Sequence, residues 1–222
     1  MVDDFLLHVS GLIHVGANSG QERDIYAAHG LSVLWIEAIP DVYDCLTRNI
    51  SKYTKQRAIR GLVTDQPGQC YTFHIANNEG ASSSIFDFAL HRDIWPEVMF
   101  THDIELRSTT IDAILADPVA HYPVYDALVM DTQGSELLVL KGASHTLETI
   151  NYIKSEAADF ESYAGCAAVD ELTAYLANCG FRLVAKEVFA EHPKGGKYYE
   201  LLFKKRLCSI ISRKWMRYLR DA

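Results

Sequence analysis

Short runs of β-branched and apolar residues alternate with helix-compatible stretches through the first two-thirds of the chain, and no other feature limits its fold as strongly. That alternation is the signature of βαβ units wound about a parallel sheet. Strands are expected near 11–15, 32–37, 58–63, 125–131 and 150–156, with helices near 20–30, 41–51, 111–117, 134–148 and 167–179. Past Gly180, the run Phe181 to Val188 turns through His192, Pro193, Gly195 and Gly196 into Tyr198 to Phe203, a hairpin that would close an otherwise parallel sheet with an antiparallel pair. The stretch 66–110 breaks the rhythm. Pro67-Gly68 marks a turn, Cys70 to Ile75 alternates like a strand and Asn77 to Ser84 is polar and turn-rich, so an insertion beside the site is expected.

With 222 residues there is room for one such domain over 1–204 and a short tail over 205–222. A hydrophobic share of 49% and a charged share of 23% exclude a disordered, collagenous or coiled-coil chain. No apolar run approaches the ~18 residues that a membrane span needs, and the start, Met-Val-Asp-Asp, is acidic. The five cysteines are scattered and form no Cys-x-x-Cys pair, which argues against both a disulfide framework and a thiolate metal site. A cytoplasmic protein is expected.

The net charge of −8 hides a split, since residues 204–222 carry seven Lys/Arg against one Asp, and the body carries 14 against 28 Asp/Glu. An acidic body argues against a nucleic-acid partner, whose phosphates call for a basic surface.

Leu12 to Glu22 reads as a strand breaking into a glycine-spaced turn and then a helix, with Ser19 and Glu22 at capping-box spacing. Such a turn leaves backbone N–H groups and a helix N-terminus facing the crevice at the strand's carboxyl end, where a cofactor can approach. Twenty-one residues past Gly16, Glu37 ends the second strand, where a carboxylate can accept hydrogen bonds from both ribose hydroxyls. The spacing is Gly16-x-x-x-Gly20, with Asn18 where a dinucleotide enzyme has its middle glycine, and this favours an adenosyl cofactor without a diphosphate.

Ile13-His14-Val15-Gly16-Ala17-Asn18-Ser19-Gly20, Trp35 to Pro40, Asn77 to Ser84, Ser108 to Asp112 and, most specifically, Asp131-Thr132-Gln133-Gly134-Ser135-Glu136 through Ala143 together resemble the successive blocks of the FkbM family of S-adenosylmethionine-dependent methyltransferases. The likeness extends through Ser155-Glu156 and Asp170 to Leu172 to Gly180-Phe181, covering about residues 10–204. It implies an α/β class I methyltransferase fold, Rossmann-like, with a mostly parallel seven-stranded sheet. It also implies S-adenosylmethionine across the carboxyl ends of the first strands: Gly16, Asn18 and Gly20 in its loop, Glu37 on its ribose, and Thr64 and Asp65 flanking its adenine. The family usually has an acidic residue at the place of His14, holding the methionine end. A histidine would do so through water or its neutral ring.

Asp131 follows the apolar run Ala127 to Met130 at what should be the carboxyl end of a central strand, and Glu156 takes the matching place after Tyr152-Ile153. Two carboxylates on adjacent strand ends can orient an acceptor hydroxyl, take its proton or hold a cation. Alternatively, Asp131 could cap the helix beginning near Gly134 and Glu156 could pair with a core lysine or arginine. In the polar segment, Asn78 and Ser83 are candidates for gripping a hydroxylated acceptor, or else for building a rigid loop. The nine histidines show no ligand spacing, so no metal is expected; His74, His91 and His102 read as surface residues that could serve as bases.

In the tail, Leu207, Ile210, Ile211, Trp215, Tyr218 and Leu219 gather on one side of a helical wheel opposite Arg206, Arg213, Arg217 and Arg220. A basic amphipathic helix of this kind can lie on an anionic membrane, dock on a partner protein or fold onto its own acidic body. The sequence thus points to methyl transfer from S-adenosylmethionine to an oxygen of a small-molecule or glycan acceptor, with Asp131 first and Glu156 second as the acid–base groups. A nicotinamide-dependent oxidoreductase and a non-catalytic binding protein retaining the fold are the alternatives.

Overall fold

The computed structural model describes residues 2–117 and 123–206. Seven strands form one sheet in the order β3-β2-β1-β7-β8-β10-β9: β1 (Gly11–Val15), β2 (Ser32–Glu37), β3 (Gln56–Arg60), β7 (Ala127–Met130), β8 (Tyr152–Ala158), β9 (Phe181–Glu191) and β10 (Lys197–Lys205). β3, β2, β1, β7 and β8 run parallel, and β10 lies antiparallel between β8 and β9. The hairpin expected from the sequence is therefore present, and β10 is its inner strand.

The sheet is covered on both faces, which explains why its central strands are apolar almost throughout. Successive side chains alternate between two cores. Leu12, Val33, Trp35, Ala127 and Val129 face an N-terminal 3-10 helix (Val2–His8), α1 (Arg23–Ala28) and α2 (Pro40–Ile50). Ile13, Val15, Leu34, Ile36, Leu128 and Met130 face the layer holding α4 (Ile111–Leu115), α5 (Glu136–Lys141), α6 (Thr146–Thr149) and α7 (Val169–Asn178). Removing a fully buried side chain such as Leu128 costs about 2–5 kcal/mol through lost transfer energy and the cavity left behind.

Region 66–110 forms a second sheet together with the preceding β4 (Leu62–Val63), in the order β4-β6-β5 with β5 (Cys70–Ala76) and β6 (Phe100–Thr109), and α3 (His91–Ile94) lies between the last two in the chain. Ile39, Leu62, Phe73 and Ile75 form its own small core against the main sheet. Three expectations are corrected here. The strand expected over 58–63 is two strands in different sheets, because the chain leaves β2's edge at Gly61, whose N–H still bonds Glu37 O. The helix expected over 134–148 is broken after Lys141, where a Cβ on Gly142 would come 2.1 Å from the Thr64 carbonyl oxygen. The helix expected from residue 20 begins at Arg23; its N-cap is Glu22, with no side-chain capping bond, so Ser19 and Glu22 form no capping box.

The tail assigned to 205–222 lies outside the described residues from 207 onward. Among the described residues no helix is long and apolar enough to cross a membrane.

Candidate active site

A cleft opens at the carboxyl ends of β1, β2 and β7, as expected for an open α/β sheet. Its walls include His14, Gly16, Asn18 and Glu22 after β1, Glu37 to Ile39 after β2, Gly61 to Val63, Phe73, Gly80 to Ser83, and Asp131 to Gln133 with Ser135 after β7. The turn after β1 is held by Gly16 and Ala17, whose N–H groups both donate to Ile36 O. Gly16 has φ +76°, and a Cβ there would sit 1.8 Å from Asp131 O, so no other residue allows β7 to end against this turn. Asn18 is left-handed at φ 43°, a conformation that asparagine tolerates, and its Oδ1 accepts from Ser19 N at 2.7 Å.

Glu37 is buried and its carboxylate is already engaged: Oε2 accepts from Asn18 N and Oε1 from Ile39 N, both at 2.8 Å. Burial raises its pKa, opposed by these amides. An ionised carboxylate has about four acceptor sites, so positions remain for ribose hydroxyls. Gly20 lies behind the wall, where a Cβ would meet Leu46 Cδ1 at 2.7 Å; it shapes the turn without lining the cleft.

Thr64 and Asp65 do not line the cleft; Gly61, Leu62 and Val63 do. The reason is the earlier end of β3, after which the chain turns inward. Thr64 is then fully buried, its N–H bonding Thr109 O and its Oγ1 donating to Gln66 O. With Ile39 and Phe73, Leu62 and Val63 give this end of the cleft an apolar surface suited to an aromatic base.

His14 is buried, stacked on Trp35 with centroids 5.0 Å apart, and its Nδ1 lies 3.3 Å from the Tyr26 hydroxyl. Burial lowers its pKa to about 4, so the ring is neutral at physiological pH. Glu22 stands beside it, 4.0 Å from Nδ1.

Beyond β1, Asp131 and Glu156 follow Met130 and Ser155, which are paired in the parallel register of β7 and β8. They line two further cavities together, one with Tyr163, Cys166 and Tyr198 and one with His14, Glu22 and Lys154. Glu156 lies inside β8 and not after it, opposite Glu200 of β10. The Lys154 ammonium goes to Asp3 at 2.7 Å and Glu200 at 3.3 Å, leaving Glu156 without the lysine pair that would have made it structural. Burial pushes both carboxyls well above the usual range, helped for Asp131 by the charges of Glu136, Glu22 and Glu37 against its bond from Gln133, and for Glu156 by the charges of Asp131 and Glu200. Asp131 does not cap α5 either. The N-cap is Ser135, with no side-chain capping bond, and the turn before the helix is held by Glu136, a residue not singled out from the sequence, whose Oε1 accepts from Thr132 N, Gly134 N and Thr132 Oγ1. Its spacing in Asp-Thr-Gln-Gly-Ser-Glu is the signal that could have found it.

Gln133, left-handed at φ 52°, donates from Nε2 to Asp131 and accepts at Oε1 from the Tyr163 hydroxyl at 2.7 Å. Of the polar segment, Ser83 reaches the cleft, while Asn78 bonds Ser82 through Nδ2 and Oδ1 and lines none of these cavities. Asn78 thus builds the loop. His91, expected at the surface, is buried among Phe88, Trp95, Tyr163 and Tyr198, and burial lowers its pKa to about 4. His74 bonds Asp103 at 2.7 Å on the small sheet. Among the described residues no group of three or more His, Cys, Asp or Glu is arranged to hold a metal.

Five parallel strands, an inserted antiparallel final strand and a glycine turn facing an acidic second-strand terminus define the class I methyltransferase architecture. A family model described as the Methyltransferase FkbM domain matches residues 14–183, and the chain belongs to that family. No curated protein matches. Among solved structures, an uncharacterized protein from Listeria monocytogenes serotype 4b aligns with a TM-score of 0.50 at 6% identity, over 90% of this chain and 63% of that one. The magnesium protoporphyrin IX methyltransferase of Synechocystis PCC 6803, solved with bound SAM, gives 0.48 at 9% identity over 88% and 69%. A TehB-like SAM-dependent methyltransferase from Corynebacterium glutamicum gives 0.47 at 11% over 89% and 80%.

Proposed function

We propose that this methyltransferase uses S-adenosylmethionine to methylate a hydroxyl of a small-molecule or glycan acceptor. The observation that carries the acceptor reading is the pair Asp131 and Glu156: two half-buried carboxyls on adjacent strands, with no lysine or arginine ion pair among the described residues, on cavities that meet the cofactor cleft at Asp131.

The residues of the cleft fit the cofactor. Glu37 would accept from its ribose, the Gly16 to Asn18 turn would present backbone without Cβ obstruction at Gly16, and Ile39, Leu62 and Phe73 would pack on its adenine. When bound, S-adenosylmethionine supplies a methyl group activated by its sulfonium. The chain must therefore align the acceptor oxygen with the S–CH₃ bond and exclude water. Asp131 would orient the acceptor hydroxyl and take its proton at a carboxylate oxygen. Its raised pKa makes it a stronger base than an exposed carboxylate while leaving it largely ionised in mildly alkaline solution. Glu156, pushed up further by Asp131, stays protonated longer and donates a hydrogen bond toward the acceptor. Ser83 and Gln133 add polar contacts at the cleft mouth.

The test uses a panel of hydroxylated metabolites and oligosaccharides with methyl-labelled cofactor and locates the label in the product by NMR. The label is expected on oxygen. A label on nitrogen or carbon would replace the acceptor assignment, and an Asp131→Asn variant that keeps full turnover would remove Asp131 from the mechanism.

A further inference from the structure

Glu22 holds an unusual position. Its Oε2 is buried and has no hydrogen-bond partner among the described residues, although the side chain as a whole is 41% exposed and reachable from the cleft. The residue is the N-cap of α1, yet its side chain makes no capping bond there. Among the described residues no fixed cation satisfies it. The guanidinium of Arg23 lies on Gly20 O and Asp24, and Lys154 is held by Asp3 and Glu200. The adjacent His14 is neutral because it is buried against Trp35 and Tyr26. A buried acceptor left without a donor costs about 1–3 kcal/mol, more for a charged group, so such an atom marks a place where something else donates.

The sheet order says which part of the cofactor reaches this place. With ribose at Glu37 on β2 and adenine toward Leu62 and Val63, the remaining amino-acid portion must cross β1 toward β7, where His14, Glu22 and Asp131 stand together. That portion carries an α-ammonium, three donors and one positive charge. Of the other carboxyl groups on these cavities, Glu37 accepts from two backbone amides at the ribose end, Asp131 accepts from Gln133, Asp3 and Glu200 hold Lys154, and Glu156 is assigned above to the acceptor.

We infer that the Glu22 carboxylate is the counter-ion of the cofactor's α-ammonium, doing from the start of α1 what neutral His14 cannot do from the end of β1. This rests on the S-adenosylmethionine reading above. Glu22 is thus a binding residue that discriminates cofactor from fragments and analogues lacking the amino group.

Calorimetry on the full chain with two probes tests it: S-adenosylhomocysteine, and its deamino analogue in which hydrogen replaces the α-amino group. Wild type is expected to bind S-adenosylhomocysteine roughly 10–100-fold more tightly than the analogue, the range for a hydrogen bond to a charged group. Glu22→Gln, which keeps the volume, should weaken S-adenosylhomocysteine by that factor and leave the analogue within about twofold. Equal affinities of wild type for the two probes would overturn the inference without any variant, as would a Glu22→Gln protein that weakens both alike. If wild type binds neither probe, the cofactor reading falls and this inference with it.

Discussion

Glu37 offers the sharpest test, because its carboxylate holds together the turn it is expected to serve. In Glu37→Ala the N–H groups of Asn18 and Ile39 lose their acceptors. Hydrogen bonds to a charged group contribute about 1.5–3 kcal/mol each. Releasing the buried carboxylate recovers part of this, since burial is the largest influence on its raised pKa. The net destabilisation should be about 2–4 kcal/mol, which lowers Tm by about 10 °C in a chain of this size. Glu37→Gln keeps one acceptor oxygen but presents an amide donor to one of the two N–H groups, so about half the loss is expected. Thermal melts, with and without S-adenosylhomocysteine, separate the two roles. A Glu37→Ala protein melting within 2 °C of wild type would refute the claim that these bonds hold the turn, taking a shift that small as negligible beside the estimate. Unchanged ligand affinity in a folded variant would remove Glu37 from the ribose.

The acid pair predicts a pH dependence of definite sign. Asp131 and Glu156 have folded pKa values above their unfolded ones, so the stability they contribute is fully present in acid and is lost as pH rises through the raised values. Asp131→Asn should therefore raise Tm at pH 8 relative to wild type, with the gap closing toward pH 4, while lowering turnover about 10²-fold and leaving cofactor affinity within a few-fold; a gap independent of pH would contradict the reasoning. Gly16→Ala should abolish cofactor binding and lower Tm, since its Cβ would overlap Asp131 O at 1.8 Å; retained binding measured by calorimetry would contradict the packing. Tyr163→Phe removes the bond to Gln133 Oε1 and should cost about 1 kcal/mol in denaturant unfolding, with a larger fractional loss of turnover because Gln133 orients Asp131.

The central strands were legible because both of their faces are buried. β1, β2 and β7 read as unbroken apolar runs and fall within one or two residues of where the pattern put them. β6 was missed because its core-facing period is short: Ile104, Leu106 and Ser108 alternate inward, but Thr101, His102 and Asp103 before them are all exposed and polar. The breaks at Gly61 and Gly142 depend on tertiary approach, to β6 in one case and to Thr64 in the other, which no local window contains. For the site, Gly16, Asn18, Glu37 and Asp131 were readable because each terminates or follows a recognisable strand. Thr64 and Asp65 were misplaced with the end of β3. Glu22 was hidden behind a capping pattern that matched in spacing and failed in geometry.

Asn18, Glu79 and Gln133 are three non-glycine residues with left-handed backbones, on three distant segments. Asn18 Nδ2 donates to Glu79 O, and Ser84 Oγ, from the end of the same polar segment, donates to Gln133 O. These contacts span 61 and 49 residues of chain, and each must overcome loop-closure entropy before it can offset backbone strain. The Asn18 turn is also held from its own sheet by Ile36 O and Glu37, and the 79–84 segment ties it to the Gln133 turn through these two long-range bonds. In kinetic terms, bonds of such sequence separation are expected to form late, so substitutions at Asn18 and Ser84 that remove them should hasten unfolding more than they slow refolding.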